Sequence, residues 1–245
     1  MSEKVFLAGA SGVVGTALVP LLVEAGYEVY GTTRHIERTD AIREAGAHAV
    51  LVDIFDRETL ANAIECIAPT IVVHQLTDLP PGLDPKRMGE ATARNARIRT
   101  EGTDNLVSAA RAAGCQRIVA QSIAWAYAAG PTPYAETQPL DTSAEGGRAI
   151  TVGGIVALER WVLSLNESGG SGTVLRYGNL YGPGTGRDTA EGASPVHVEA
   201  AAWAALLAVQ RSTRGVFNIA EDGAQVTSEK AKRELGWNPE MRLRQ

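Results

Sequence analysis

Lys4-Val5-Phe6-Leu7-Ala8-Gly9-Ala10-Ser11-Gly12-Val13-Val14-Gly15 is the stretch whose reading decides the fold, an apolar run that passes through three spaced glycines into a helical pattern. Gly9 suits a tight turn. Gly12 leaves no Cβ where a pyrophosphate would approach, and Gly15 lets the new helix pack close to the preceding strand. The helix opens with apolar residues at Val13, Val14, Ala17, Leu18, Leu21 and Leu22, and a second strand follows at Tyr27 to Thr32. In this strand–helix–strand context the glycines read as a dinucleotide cradle, with Gly9, Ser11, Gly12, Val13, Val14 and Gly15 around the phosphates and the N–H groups of the helix start facing them.

The second strand ends in Gly31-Thr32-Thr33-Arg34, where such a site meets the adenosine ribose. A carboxylate there would bond the ribose 2′-hydroxyl and repel a 2′-phosphate. The chain offers two hydroxyls and a guanidinium instead, so Thr32, Thr33 and Arg34 point to NADP as the preferred cofactor, with NAD possible. The third strand, His48 to Val52, runs into Asp53-Ile54, a carboxylate for the adenine amino group and an apolar side chain for its ring. The fourth, Thr70 to His74, ends in Gln75-Leu76-Thr77, which would pass beside the cofactor's phosphate and ribose.

Helices are expected at about residues 37–45 and 56–67, over one long stretch from Arg87 to Ala113, and at 149–165. Further strands are expected at Arg117 to Gln121, Thr173 to Tyr177 and Val216 to Ile219, with a last short helix at 228–235. Asp78 to Gly89 and Ala128 to Gly147 read as loops over the C-terminal edge of the sheet. The alternation predicts one α/β domain over residues 1–245: a Rossmann-type, doubly wound parallel sheet, with 178–197 and 220–245 forming a small substrate-side cap.

A net charge of −5 across 245 residues, without a basic block, argues against nucleic acid as a partner. No apolar run reaches the length of a membrane span and no signal-peptide pattern opens the chain, so a cytoplasmic protein with a small-molecule substrate is expected. Cys66 and Cys115 read as isolated core thiols. The four scattered histidines predict no metal site.

Beyond the glycines, Asp53-Ile54, Gly102-Thr103-Asp104-Asn105-Leu106, Leu175-Arg176-Tyr177-Gly178-Asn179-Leu180-Tyr181-Gly182-Pro183-Gly184 and Leu235-Gly236-Trp237-Asn238-Pro239 resemble the extended short-chain dehydrogenase/reductase superfamily, the NAD-dependent epimerases and dehydratases. The resemblance implies an oxidoreductase or epimerase-like enzyme on a carbonyl or sugar-like substrate, with Tyr177 and Asn179 lining the nicotinamide side. It also implies a homodimer through the two long helices. The family's Tyr-x-x-x-Lys pair, which supplies the acid and tunes its pKa, falls on Thr151 and Ile155 when Glu159 is used as the anchor. None of the four lysines, Lys4, Lys86, Lys230 and Lys232, has a tyrosine four residues before it. Candidate substitutes are Tyr127, Ser122 and Thr151, with Ser122 also on the cofactor side; Tyr134 and Glu136 rank behind them, and His197 reads as structural. The alternative is an NADP-binding sensor, partner subunit or non-redox protein on the same scaffold.

Overall fold

The computed structural model describes residues 2–80, 85–223 and 225–243. Its first half runs β1 (Lys4–Ala8), α1 (Val13–Glu24), β2 (Glu28–Thr33), α2 (Thr39–Glu44), β3 (His48–Leu51), α3 (Arg57–Ile67) and β4 (Ile71–His74). The second half runs α4 (Met88–Arg97), α5 (Thr103–Ala112), β5 (Arg117–Ile123), α6 (Gly146–Leu163), β6 (Ser171–Tyr177), β7 (Asn179–Tyr181), β8 (Pro195–His197), α7 (Val198–Arg211) and β9 (Gly215–Ile219). Seven strands pair in parallel in the order β3-β2-β1-β4-β5-β6-β9. The doubly wound sheet expected from the sequence is therefore present.

Such a sheet is buried on both faces, which is why its central strands are almost wholly apolar. Side chains alternate between two clusters. Leu7, Val73, Leu175 and Phe217 pack with Leu18 and Leu22 of α1 and with the alanines of α7. Phe6, Val72, Ile118 and Val174 pack on the other face with Ile64, Leu106, Leu158 and Val162. Parallel strands force each connection across a face, so every loop leaving a strand's C-terminal end gathers at one edge.

Several elements differ from expectation. The stretch expected as one helix from Arg87 to Ala113 is broken by a π-turn, Ile98–Gly102, between α4 and α5. A 3₁₀ turn, Ile36–Arg38, precedes α2, and the last helix ends in a π-turn, Ala231–Leu235. In the expected cap, β7 and β8 form their own two-stranded parallel sheet. Leu235 and Trp237, however, join the main core, and Trp237 Nε1 donates to the Ala200 carbonyl at 2.8 Å, so burial of apolar surface draws that segment onto α7. Residues 81–84 of the loop expected at 78–89, and residues 224, 244 and 245 of the expected cap, lie outside the described residues.

One helical segment, Gly146–Ser168, is long and apolar enough by length and composition to cross a membrane, contrary to the sequence expectation. Its apolarity serves the core: Val152, Ile155, Leu158 and Val162 are buried, and Glu159 among them is ion-paired. Cys115 is a buried thiol as expected, whereas Cys66 is exposed.

Two glycines separate packing need from accident. An added Cβ on Gly15 would stand 2.1 Å from the Gly9 carbonyl oxygen and 2.8 Å from that of Ala10, so the start of α1 can lie this close to the turn only without a side chain. At Gly153, on the exposed face of α6, an added Cβ meets nothing within 4 Å. Gly15→Ala is expected to destabilise the protein by several kcal/mol through this overlap, whereas Gly153→Ala should stabilise it by about 1 kcal/mol through helix propensity. Thermal and urea denaturation of the two variants check both signs.

Candidate functional site

The strand order reverses between β1 and β4, whose chain neighbours leave in opposite directions, and a cleft opens outside the strand ends there, as this topology requires. Gly9, Ser11 and Gly12 form its floor, Thr32, Thr33 and Arg34 one wall, Asp53 and Ile54 the end beside β3, and Gln75, Leu76 and Thr77 the opposite wall. The sequence-predicted set is thus largely brought together. His35, Arg38, Phe55 and Ile98 also line the cleft and were not read from the sequence.

The cradle has the shape that a dinucleotide needs. Gly9 sits at φ +93°, and a Cβ there would lie 2.9 Å from the Gln75 carbonyl group, because β4 ends directly beside the turn. Helix α1 starts at Gly12 with no side-chain cap and no acidic residue in its first turn, so its leading N–H groups and positive dipole end are available to an anion. The Thr32 hydroxyl accepts from Gly9 N–H at 3.2 Å, and the Ser11 hydroxyl donates to Thr33 Oγ1 at 3.2 Å, so both threonines brace the turn as well as lining the wall. Asn105 donates through Nδ2 to the Ile54 carbonyl at 2.9 Å, and a Cβ on Gly102 would press on Ile54 at 3.3 Å. The Gly102-Thr103-Asp104-Asn105 motif therefore positions the Asp53-Ile54 end of the cleft from behind. Arg34, about half exposed, reaches Asp78 at 3.5 Å, and Asp78 is shared with Arg94.

Other expected cofactor residues lie elsewhere. Val14 and Gly15 are buried in the first turn of α1. Val13, with Ser11 and Gly12, borders a second cavity against Pro183, Gly184 and Glu199. Tyr177 is buried, its hydroxyl accepting from Gln75 Nε2 at 3.2 Å, and burial pushes its pKa up. The side chain of Asn179 is crowded by Gly192, where a Cβ would stand 2.8 Å from Asn179 Oδ1.

The expected acid–base candidates are occupied in a buried network. Arg176 on β6 donates through Nε and NH2 to the two oxygens of Glu159 on α6, at 2.9 and 2.7 Å. Ser122 Oγ donates to the same carboxylate at 2.8 Å, so the Ser122 side chain turns inward and away from the cleft. Arg176 NH1 donates to the Tyr127 hydroxyl, which donates in turn to Asn218 Oδ1, each at 2.7 Å. Tyr127 is 4% exposed; burial pushes its pKa up, partly offset by Arg176. Burial alone would lower the Arg176 pKa, but the bonds to Glu159 outweigh it and hold the guanidinium firmly charged. Tyr134 stacks on Tyr127 at 5.4 Å between ring centroids, and Glu136 Oε1 accepts the Asn218 N–H at 2.8 Å, so these reserve candidates are structural too. Thr151 Oγ1 donates to the Gly147 carbonyl at 3.1 Å, and Ile155 is fully buried. His197 caps α7 through Nδ1, which accepts from Glu199 N–H at 3.3 Å, in keeping with a structural role. Among the described residues no group of histidine, cysteine or carboxylate side chains could hold a metal ion.

Comparison with known proteins places this geometry. The family model described as the NAD dependent epimerase/dehydratase family matches residues 5–210. A 3-diazoavenalumate denitrifying reductase from Streptomyces sp is 44% identical over 247 residues, covering 89% of this chain and 76% of that protein. A 3-beta-hydroxysteroid dehydrogenase from Mycolicibacterium neoaurum is 34% identical over 118 residues, 47% of this chain and 31% of its own length. Among solved structures, UDP-glucose 4-epimerase from Thermotoga maritima with UDP-glucose superposes with a TM-score of 0.79 at 19% identity, over 98% of this chain and 94% of that one. The Thermus thermophilus UDP-glucose 4-epimerase in complex with NAD gives 0.77 at 20% identity, over 98% and 95%. At these identities the structural likeness establishes the fold.

His74, at the end of β4, ties the cleft wall to the interior. Its Nδ1 accepts the Leu76 N–H at 3.2 Å and its Nε2 lies 3.0 Å from Thr103 Oγ1, an arrangement that suits the neutral ring. Burial, with Arg99 nearby, pulls its pKa down to about 4. In the unfolded chain the ring protonates near its ordinary value of about 6.5, so the contribution of His74 is complete above that pH and is lost progressively as pH falls toward 4. The full loss is about 3 kcal/mol. Urea midpoints followed from about pH 7 to pH 5 should fall, and His74→Gln should make the fall shallower.

Proposed function

Because the chain belongs to the NAD-dependent epimerase/dehydratase family, we propose that it is an NADPH-dependent reductase of a small molecule carrying a diazonium group, which it releases as dinitrogen. The observation that carries this reading is the fate of the proton donors. Thr151 and Ile155 stand where the resemblance puts the family's tyrosine and lysine, the Thr151 hydroxyl is bonded to its own helix, and Ser122 and Tyr127 are locked under the sheet. Reduction of a carbonyl leaves an alkoxide that must be protonated, so a cleft without an acid forgoes about 10²–10⁴-fold in rate. When bound, a reduced nicotinamide would supply a hydride; a diazonium that accepted it would become R–H and dinitrogen, with two electrons transferred, the C–N bond broken and no alkoxide to protonate. The 44% identical relative, a 3-diazoavenalumate denitrifying reductase, supports the same substrate class.

The residues present fit the cofactor. Gly9, Gly12 and the open start of α1 would hold the pyrophosphate, and Asp53 and Ile54 the adenine. Arg34 and Arg38, with His35 and Thr33, would meet a 2′-phosphate; no carboxylate stands at the end of β2 to bond a 2′-hydroxyl. Ile155, where the resemblance puts the lysine, is buried among Ala126 and Val152 and offers no proton.

Two measurements test the reading. NADPH should bind more tightly than NADH, and Arg34→Ala combined with Arg38→Ala should narrow the gap by roughly tenfold or more, the scale of charge-assisted hydrogen bonds; equal affinities in the unmodified protein would count against NADP. With an arenediazonium carboxylate as substrate, one dinitrogen should evolve per NADPH oxidised, and turnover should survive Tyr127→Phe and Thr151→Ala. Rapid ketone reduction without dinitrogen release would instead show a carbonyl reductase with an acid still to be found.

A further inference from the structure

Arg99 sits in the π-turn between α4 and α5 and is 6% exposed. Its stem crosses α6 at Gly154, where an added Cβ would stand 3.4 Å from both Arg99 Cβ and Arg99 Cδ. Gly154 adjoins Ile155 and lies one helical turn from Thr151, and Ile98, the residue before Arg99, lines the cleft. One turn earlier, Asn95 Oδ1 accepts the Asp78 N–H at 3.0 Å, so this side of the helix borders the loop that leaves β4.

A guanidinium carries five donors, yet among the described residues Arg99 forms no hydrogen bond or ion pair. Its nearest compensation is the through-space attraction of Glu159, whose two oxygens already serve Arg176 and Ser122. With His74 neutral, two guanidiniums face one carboxylate, and the interior holds an excess positive charge. Among the described residues, the wholly buried side-chain nitrogen and oxygen atoms left without a partner are Gln75 Oε1 and Asn105 Oδ1. The nitrogens of Arg99 are not among them, so its guanidinium keeps a small opening to solvent-accessible space. Burial pulls its pKa only to about 10, which leaves it charged at neutral pH.

We propose that Arg99, held between α4 and α6 next to the cleft-lining Ile98, is an anion-recognition residue and receives a carboxylate of the substrate at the small opening its guanidinium keeps. A buried charge without a partner is costly, and the planar fork of a guanidinium matches a carboxylate in two parallel bonds. A glycine at 154 gives the stem room that a side chain there would take. The assignment rests on the reading of this cleft as a reductase's and narrows its substrate to an anionic one.

The test is calorimetric titration of the full chain, with and without NADP, using benzoate and cinnamate beside their methyl esters as probes. The unmodified protein should bind the acids at least tenfold more tightly than the esters. Arg99→Gln should erase that preference while leaving cofactor affinity and melting temperature unchanged or, because a buried charge is removed, the melting temperature raised. Arg99→Lys, which keeps the charge without the fork, should retain part of the preference. Equal binding of acid and ester by the unmodified protein, binding of neither at millimolar concentration, tighter binding of phenyl phosphate than of the carboxylates, or a preference that survives Arg99→Gln would each overturn the assignment. So would a loss of cofactor affinity in Arg99→Gln, which would put the guanidinium on the cofactor instead. A carboxylate preference in a protein that binds no NADPH would uphold Arg99 as the anion site and sink the reductase reading alone.

Discussion

Glu159 and Arg176 meet through two parallel hydrogen bonds beneath the far half of the sheet, and the substrate side of the molecule is assembled on that pair. Each charge would be expensive to bury alone, and removal of one partner from such a pair commonly costs about 3–5 kcal/mol. The pair therefore obliges α6 and β6 to keep their distance and register. From it the bonds run outward to Ser122 on β5, to Tyr127 in the following loop, and through Tyr127 to Asn218 on β9. Asn218 then holds the carbonyls of Tyr134 and Thr227, which draws two chain segments remote in sequence onto the same strand end.

This arrangement has a chemical consequence. Hydroxyl groups that could have served as acids at the strand ends are committed to holding loops. The described residues lining the cleft include no tyrosine and no lysine, and where the resemblance puts the family's pair stand Thr151, whose hydroxyl is bonded to its own helix, and Ile155, which is fully buried. A site of that kind favours reactions in which the leaving group departs as a stable neutral molecule, because nothing then has to be protonated on the way.

How much was legible in the sequence follows from where each constraint is written. The glycine turn, Asp53-Ile54 and Gln75-Leu76-Thr77 each lie at the end of a strand recognisable from its own residues, and local spacing alone takes them to the cleft. Ser122 and Tyr127 read as candidate acids in the sequence because the partners that hold them, Glu159, Arg176 and Asn218, lie 37 to 91 residues away along the chain. Side-chain direction at a strand end changes with one residue of register, which spacing does not reveal. Arg99 was invisible for a related reason: an arginine in a helical pattern reads as a solvated charge, and the glycine that makes room for it lies on another helix.

The π-turn at Ile98–Gly102 carries one more residue than an α-helical turn would, and it sets the angular phase between α4 and α5. Along an α-helix each residue advances the direction of its side chain by about 100°. Were the same five residues wound as regular α-helix, with none removed, α4 would swing round its axis by most of that angle. Ala91 and Asn95, now turned inward, would be carried toward solvent. A one-residue deletion inside the turn would remove the bulge and leave both faces nearly where they stand, whereas a deletion in the regular helix on either side would rotate one face against the other, so the wide turn is what keeps the two faces in phase although no loop marks the place.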